Sequence, residues 1–107
     1  MSRPLKIQIV ERARALIAGE QHWCRRNLAN DVNGVPTFPT SGCAVKWCGL
    51  GAVIAAAYQL THDLDAADQL GREALRPQYS PATLIYVNDT RGHAAVLALF
   101  DEVLAAG

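Results

Sequence analysis

The chain has 107 residues, half of them hydrophobic, and its 10 basic side chains balance 10 acidic ones, giving a formal net charge of zero. This length and composition predict one folded domain spanning residues 1–107 and exclude a disordered chain. Because a neutral chain has no general attraction for a polyanion, we expect no general nucleic-acid binding.

The amino-terminal residues lack the apolar core of a signal peptide, and no apolar run approaches the roughly 18 residues of a membrane span. Three cysteines, Cys24, Cys43 and Cys48, are an odd number and fit free thiols in a reducing compartment. We therefore expect a cytoplasmic protein that makes no membrane contact.

The first half of the chain reads as two helices followed by a loop. Apolar residues recur at helical spacing over residues 4–18, where Ser2 is placed to cap the helix. A shorter helix is predicted over residues 20–29, with Trp23 as a core anchor. Residues 30–42 contain an Asn-Gly turn signal and two prolines, which predict a loop. Such a loop is either a surface excursion or a segment that covers or binds something.

The most apolar segment, residues 43–60, is too long for a typical strand and predicts the central helix. Gly49 and Gly51 each cost a helix about 1 kcal/mol relative to alanine, which indicates close helix packing. A phosphate-binding glycine loop is the alternative, but the rest of its fingerprint is missing. The small residues around Gly51 and Ala55 also suit packing against an identical chain, as a homodimer.

Further helices are predicted after this segment. Thr61 is placed to cap a helix that ends near residue 75. Ser80 and the following proline suit a helix start, whereas residues 83–87 suit a strand; with no second strand to pair, helix is favoured. Residues 88–90 are placed to cap a last helix. The fold class is mainly α: a compact bundle of about five helices, with at most one short extended segment near residues 83–87.

Two segments resemble a known family. Residues 44–52 contain Trp-Cys-x-Leu-Gly-Ala, and residues 87–101 contain Val-Asn-Asp followed by His-x-x-Val-Leu. The combination resembles a family of small bacterial and phage domains of unknown function, over most of the chain. The resemblance implies a small accessory domain and carries no activity with it, and Cys43 lies outside the pattern.

A cysteine–histidine pair is the first candidate for chemistry. Cys48 and His93 could act as nucleophile and base of a hydrolase or transferase, oriented by Asn88 or Asp89. A helix dipole at Cys48 would lower the pKa of its thiol. The competing interpretation is favoured: Cys48 is an inert core residue, and His93 bonds to Asp89 one turn earlier.

A zinc site is the second candidate. Its ligands would come from a set of cysteine and histidine side chains: His22, Cys24, Cys43, Cys48 and His93. Their spacing lacks the Cys-x-x-Cys pairs that are typical of zinc sites, so we expect no metal and no cofactor.

A binding pocket is the third candidate. Aromatic and polar side chains could converge on an apolar cleft; they are Trp23, Trp47, Tyr58, Tyr86, Asn88, Asp89 and His93. The competing interpretation, in which the aromatic side chains belong to the core, is favoured. We predict a non-enzymatic binding module of bacterial or phage origin, whose partner is a protein or a small molecule. It would inhibit a host defence protein or sequester a signalling molecule. The alternatives are the cysteine-dependent enzyme and a structural homodimer.

Overall fold

The computed structural model describes residues 3–107, which form five α-helices, one 3-10 turn and a small three-stranded sheet. The elements in chain order are α1 (Leu5–Leu16), the 3-10 turn (Glu20–His22), β1 (Ala29–Asn30), β2 (Pro36–Thr37), β3 (Lys46–Trp47), α2 (Gly49–Thr61), α3 (Leu64–Glu73), α4 (Pro81–Arg91) and α5 (His93–Ala106). The protein is mainly α, as predicted. None of these helices is both long enough and apolar enough to cross a membrane.

Helix α2 is the centre of the fold, and it is buried on every side from Gly49 to Ala57. A helix that is apolar all round is stable only inside a core, and α1, α3 and α4 pack against this one. The prediction of a central helix is confirmed, but α2 begins later than predicted. Residues 43–48 are not helical because Lys46–Trp47 pairs with β1 and because Cys48, in an extended conformation, caps α2.

Gly51 lets the segment that precedes β1 lie directly against α2. A Cβ atom at this position would lie 1.8 Å from the carbonyl oxygen of Leu28, and a Cβ atom at Gly49 would lie 2.8 Å from the Cδ1 atom of Leu84. The predicted close helix packing is therefore confirmed at Gly49, which faces α4, whereas the close neighbour of Gly51 is a non-helical segment. Because Leu28 covers Gly51 and because Ala55 is buried, this face is not available for the homodimer contact predicted for it.

The helix predicted over residues 20–29 is wrong. Only Glu20–His22 is helical, as a single 3-10 turn, and Trp23 then forms an isolated parallel bridge with Trp47. Arg26 has a φ of 70°, in the left-handed region that an α-helix excludes. From Cys24 onward, the backbone of this segment bonds to β3, to the backbone of Cys48 and to the side chains of Asn88 and Asp89.

Residues 30–42, predicted as a loop, include the hairpin between β1 and β2. The Asp31 carboxylate accepts the backbone N–H groups of Asn33 and Val35, both at 2.9 Å, and Gly34 has a φ of 80°. This turn reverses the chain, so that β1 pairs antiparallel with β2 on one side and with β3 on the other. The predicted Asn-Gly turn is therefore confirmed. The strands beside it were not predicted, because two residues are too few to show an alternation of apolar side chains.

Helix α3 is capped by Asp63, whose carboxylate accepts the backbone N–H of Ala66 at 3.1 Å. The predicted cap, Thr61, is instead the last residue of α2, which ends where His62 adopts a left-handed φ of 58°. The cap predicted at Ser2 lies outside the described residues.

Residues 83–87 are helical, because Ser80 caps α4 by accepting a backbone N–H of the first turn at 3.1 Å. The cap predicted at residues 88–90 is wrong, since α4 continues through them. Gly92, with a φ of 96°, separates α4 from α5. Asn88 therefore lies within α4 and does not cap a helix. Its side chain bonds to segments that are distant along the chain.

Candidate functional site

The side chain of Asn88 is the polar centre of the carboxyl-terminal half of the fold, and it is fully buried. Its Oδ1 atom accepts the indole N–H of Trp23 at 2.7 Å and the backbone N–H of Gly49 at 2.9 Å. Its Nδ2 group donates to the carbonyl of Cys24 and to Asp89 Oδ1, both at 3.1 Å. One amide therefore joins α4, the first turn of α2 and the segment around Trp23.

A cluster of aromatic and cationic side chains lies beside this amide. The guanidinium of Arg25 lies 5.1 Å from the centre of the Trp23 ring, and the His93 ring lies 5.5 Å from the same ring. His93 Nε2 donates to the carbonyl of Ile17, with a separation of 2.5 Å. This cluster holds the loop after α1 against the start of α5, so its groups are already engaged within the protein.

Asp89 sets the backbone conformation of the segment that faces α4. Its Oδ1 atom accepts the backbone N–H of Arg26 at 2.9 Å. Arg26 is an unusual residue in a left-handed conformation, which costs free energy for a side chain other than glycine. A buried amide and a carboxylate from α4 together hold this strained segment in place.

A cleft of 320 Å³ lies between this segment, α4 and the ends of α2 and α3. Its lining combines apolar and charged side chains: Arg26, Asn27, Leu28, Cys48, Leu50, Arg72, Ile85 and Asp89. The volume is within the range of small-molecule sites. A second cleft of 510 Å³ adjoins the first along residues 26–28 and extends over the β1–β2 hairpin to Pro39.

The thiols beside the cleft are poor nucleophiles. Burial raises the pKa of Cys48, although the backbone N–H groups of Gly51 and Leu50 oppose this shift, and the Asp89 carboxylate adds to it. Burial likewise raises the pKa of Cys24 to about 11. The helix dipole was predicted to lower the pKa of Cys48, but burial outweighs it. Removing a thiolate from water costs more free energy than the backbone N–H groups at the start of α2 give back.

The predicted catalytic residues are only partly brought together. Cys48 and Asp89 line the same cleft. Cys48 Sγ accepts the backbone N–H of Gly51 at 3.3 Å, and within residues 3–107 no hydrogen bond joins it to His93. The predicted bond between His93 and Asp89 is also absent from the described structure, because Gly92 breaks the helix between them.

The predicted ligand-binding residues separate in a similar way. Asp89 lines the cleft, and the fully buried Asn88 bonds to it, whereas the Trp47 indole donates to the carbonyl of Pro39 at 3.0 Å and does not line the cleft. Tyr58 lies more than two turns along α2 from its start, with its ring 6.2 Å from that of His62. Tyr58 therefore does not contribute to the cleft.

Sequence reasoning missed the two cleft arginines. Neither Arg26 nor Arg72 was predicted as a site residue, although both line the cleft. Nothing in the sequence signals the left-handed backbone of Arg26, since glycine is the residue expected there. Arg72 reaches the cleft only because α3 packs against α2.

The zinc ligands considered from the sequence do not assemble. Across residues 3–107, no group of three or more histidine, cysteine, aspartate or glutamate side chains is arranged to hold a metal ion. Cys24 and Cys48 are buried, whereas Cys43 is exposed.

A protein-family model described as a family of unknown function (DUF6197) matches residues 1–106. No curated protein and no solved structure matches the chain. The family match confirms the resemblance inferred from the sequence, and it covers nearly the whole domain.

Proposed function

Because the chain belongs to the DUF6197 family, whose function is unknown, we propose a function from geometry: the protein is a non-catalytic module that binds a small organic molecule. The observation that carries this proposal is the cleft beside Asp89, whose wall includes the left-handed residue Arg26. Backbone strain at a residue other than glycine concentrates at binding and catalytic sites.

Preorganisation supports binding at this cleft. Asp89 holds the backbone of Arg26, and Asn88 holds the carbonyl of Cys24 two residues earlier. A wall that is already ordered loses little conformational entropy when a ligand arrives, which favours affinity. Cleft residues Leu28, Leu50 and Ile85 supply apolar surface.

Thiol chemistry remains the alternative, and two observations weigh against it. The raised pKa of Cys48 keeps its thiol protonated near neutral pH, whereas a nucleophile needs the thiolate. The ring nitrogen Nε2 of His93 bonds to Ile17 and not to the thiol. Binding without catalysis also agrees with the role, predicted from the sequence, of sequestering a small signalling molecule.

Nuclear magnetic resonance tests the binding proposal. A library of small organic fragments is added to ¹⁵N-labelled protein, and we expect shifted amide signals to cluster at residues 26–28 and at Leu50, Ile85 and Asp89. Ile85→Trp should fill the cleft and abolish these shifts, because this exposed side chain lines it. Tyr86→Trp, at the next and more exposed position, is the matched control and should leave them unchanged. Scattered shifts, or shifts that Ile85→Trp does not affect, would contradict the proposal.

A protein-binding role is a second candidate, favoured by an exposed apolar surface on the β1–β2 hairpin. Val32, Val35 and Phe38 are 81%, 54% and 79% exposed, and adjacent exposed apolar side chains are typical of interaction sites. If this surface joins two copies, the wild-type chain should sediment as a dimer and Phe38→Ser as a monomer. A wild-type monomer at high concentration would exclude self-association here.

A further inference from the structure

We infer that the ligand of the 320 Å³ cleft is a small apolar zwitterion, in the class of an α-amino acid with an aromatic or aliphatic side chain. This inference rests on the proposed small-molecule binding. It follows from the presence of both charge signs and an apolar wall in one cleft.

The cationic groups of the cleft keep N–H donors for a carboxylate, although Arg72 is ion-paired with Asp68. Arg72 uses its Nε atom to contact Asp68, at 3.1 and 3.2 Å from the two carboxylate oxygens. Within residues 3–107 neither its terminal nitrogens nor the guanidinium of Arg26 makes a hydrogen bond. A guanidinium group presents paired N–H donors that match the two oxygens of a carboxylate.

The anionic group of the cleft is the Asp89 carboxylate, and only one of its two oxygens accepts hydrogen bonds from the described residues. Asp89 Oδ1 accepts the backbone N–H of Arg26 and the amide of Asn88, whereas Oδ2 accepts nothing from the described residues. Oδ2 is also open to solvent, because no side-chain oxygen in the described chain is both buried and without a partner. This oxygen is suited to accept from an ammonium group.

The two charge signs together select the ligand. A simple amine would meet the repulsion of Arg26, and a simple carboxylate would meet that of Asp89, so each singly charged molecule faces an unfavourable group. A zwitterion satisfies both signs. Its apolar side chain would pack against Leu28 and Ile85.

The test compares three matched probes by nuclear magnetic resonance titration: L-phenylalanine, 3-phenylpropanoate, which lacks the amine, and 2-phenylethylamine, which lacks the carboxylate. We expect L-phenylalanine to shift the amides of residues 26–28 and Asp89, and to bind about tenfold more tightly than either other probe. Equal affinity for the three probes would overturn the zwitterion inference and leave the binding cleft in place.

Two variants assign the charged ends. Arg72→Gln should weaken L-phenylalanine binding about fivefold or more, whereas Arg91→Gln, an exposed arginine outside the cleft, should not. Asp89→Asn keeps an oxygen for the Arg26 backbone and should make 3-phenylpropanoate bind at least as tightly as L-phenylalanine. An unchanged preference in Asp89→Asn would overturn the inference.

The absence of binding by all three probes would also overturn the inference. The fragment experiment then separates the two proposals: fragments that still bind the cleft would leave the proposed function standing, and no binding at all would remove both.

Discussion

The indole N–H of Trp23 donates to the side-chain oxygen of Asn88 at 2.7 Å, across 65 residues of sequence. The same oxygen accepts the backbone N–H of Gly49. Because one buried oxygen satisfies a side chain and the start of the central helix, the loop after α1, α2 and α4 depend on a single amide. The cleft wall is attached to this amide through Cys24 and Asp89.

Asn88→Ala should therefore lower the free energy of unfolding by about 3 kcal/mol, since it leaves buried donors without acceptors. Chemical denaturation followed by circular dichroism measures this change. Asn33→Ala, at an exposed turn residue, is the control and should remain within about 0.5 kcal/mol of wild type. Similar values for both variants would show that the amide is not central.

Gly51→Ala should destabilise the protein by about 3 kcal/mol, although alanine raises helix propensity by about 1 kcal/mol. The reason is the carbonyl oxygen of Leu28, which lies 1.8 Å from the position of the new Cβ atom. Gly42→Ala, where a Cβ atom meets nothing within 4 Å, should be neutral. Thermal unfolding of both variants decides the matter, and an equally stable Gly51→Ala would contradict the packing described.

Iodoacetamide should modify one thiol per native chain near neutral pH, and three after unfolding. Cys43 is exposed, whereas Cys24 and Cys48 are buried with raised pKa values. Mass spectrometry counts the modified sites, and Cys43→Ala should leave the native protein unmodified. Rapid modification of Cys48 would instead favour the thiol-dependent enzyme.

Stability should fall at alkaline pH in a way that depends on Cys24. The unfolded thiol ionises at the ordinary pKa of 9.0 and the folded thiol at about 11. Below pH 9.0 the thiol is protonated in both states, so the folded protein keeps its full stability. As the pH rises towards 11, only the unfolded thiol ionises readily, and the folded state loses stability. Denaturation curves across this window should show a loss of stability in wild type that is smaller by about 2 kcal/mol in Cys24→Ala. The loss that remains in this variant comes in part from Cys48, whose pKa burial also raises. Cys43→Ala, the control, should follow wild type.

Helical periodicity predicted α1 and α2, and Ser80 with its following proline correctly marked the start of α4. These signals are local, since they depend on residues within a turn or two of each other. The prediction failed at residues 20–29, where local spacing suits a helix but pairing with Trp47 and a left-handed Arg26 require another path.

Only part of the candidate site was predicted, because the site also depends on contacts between residues that are distant along the chain. Cys48 and Asp89 were chosen by chemical type, and both line the cleft. His93 and Tyr58 were also chosen by type, but their rings contact other groups, because sequence spacing carries no information about which face of a helix meets which neighbour.

The sequence by itself determined a mainly helical domain around an apolar central helix, together with the close helix packing at Gly49. Both predictions depend on residues that are close together in the sequence, because apolar periodicity and the cost of glycine in a helix are local properties. Only the tertiary structure decided that Asn88 satisfies groups from three segments and that Arg26, Arg72 and Asp89 share one cleft. Those contacts join residues distant along the chain, and they form only when the buried helices are packed.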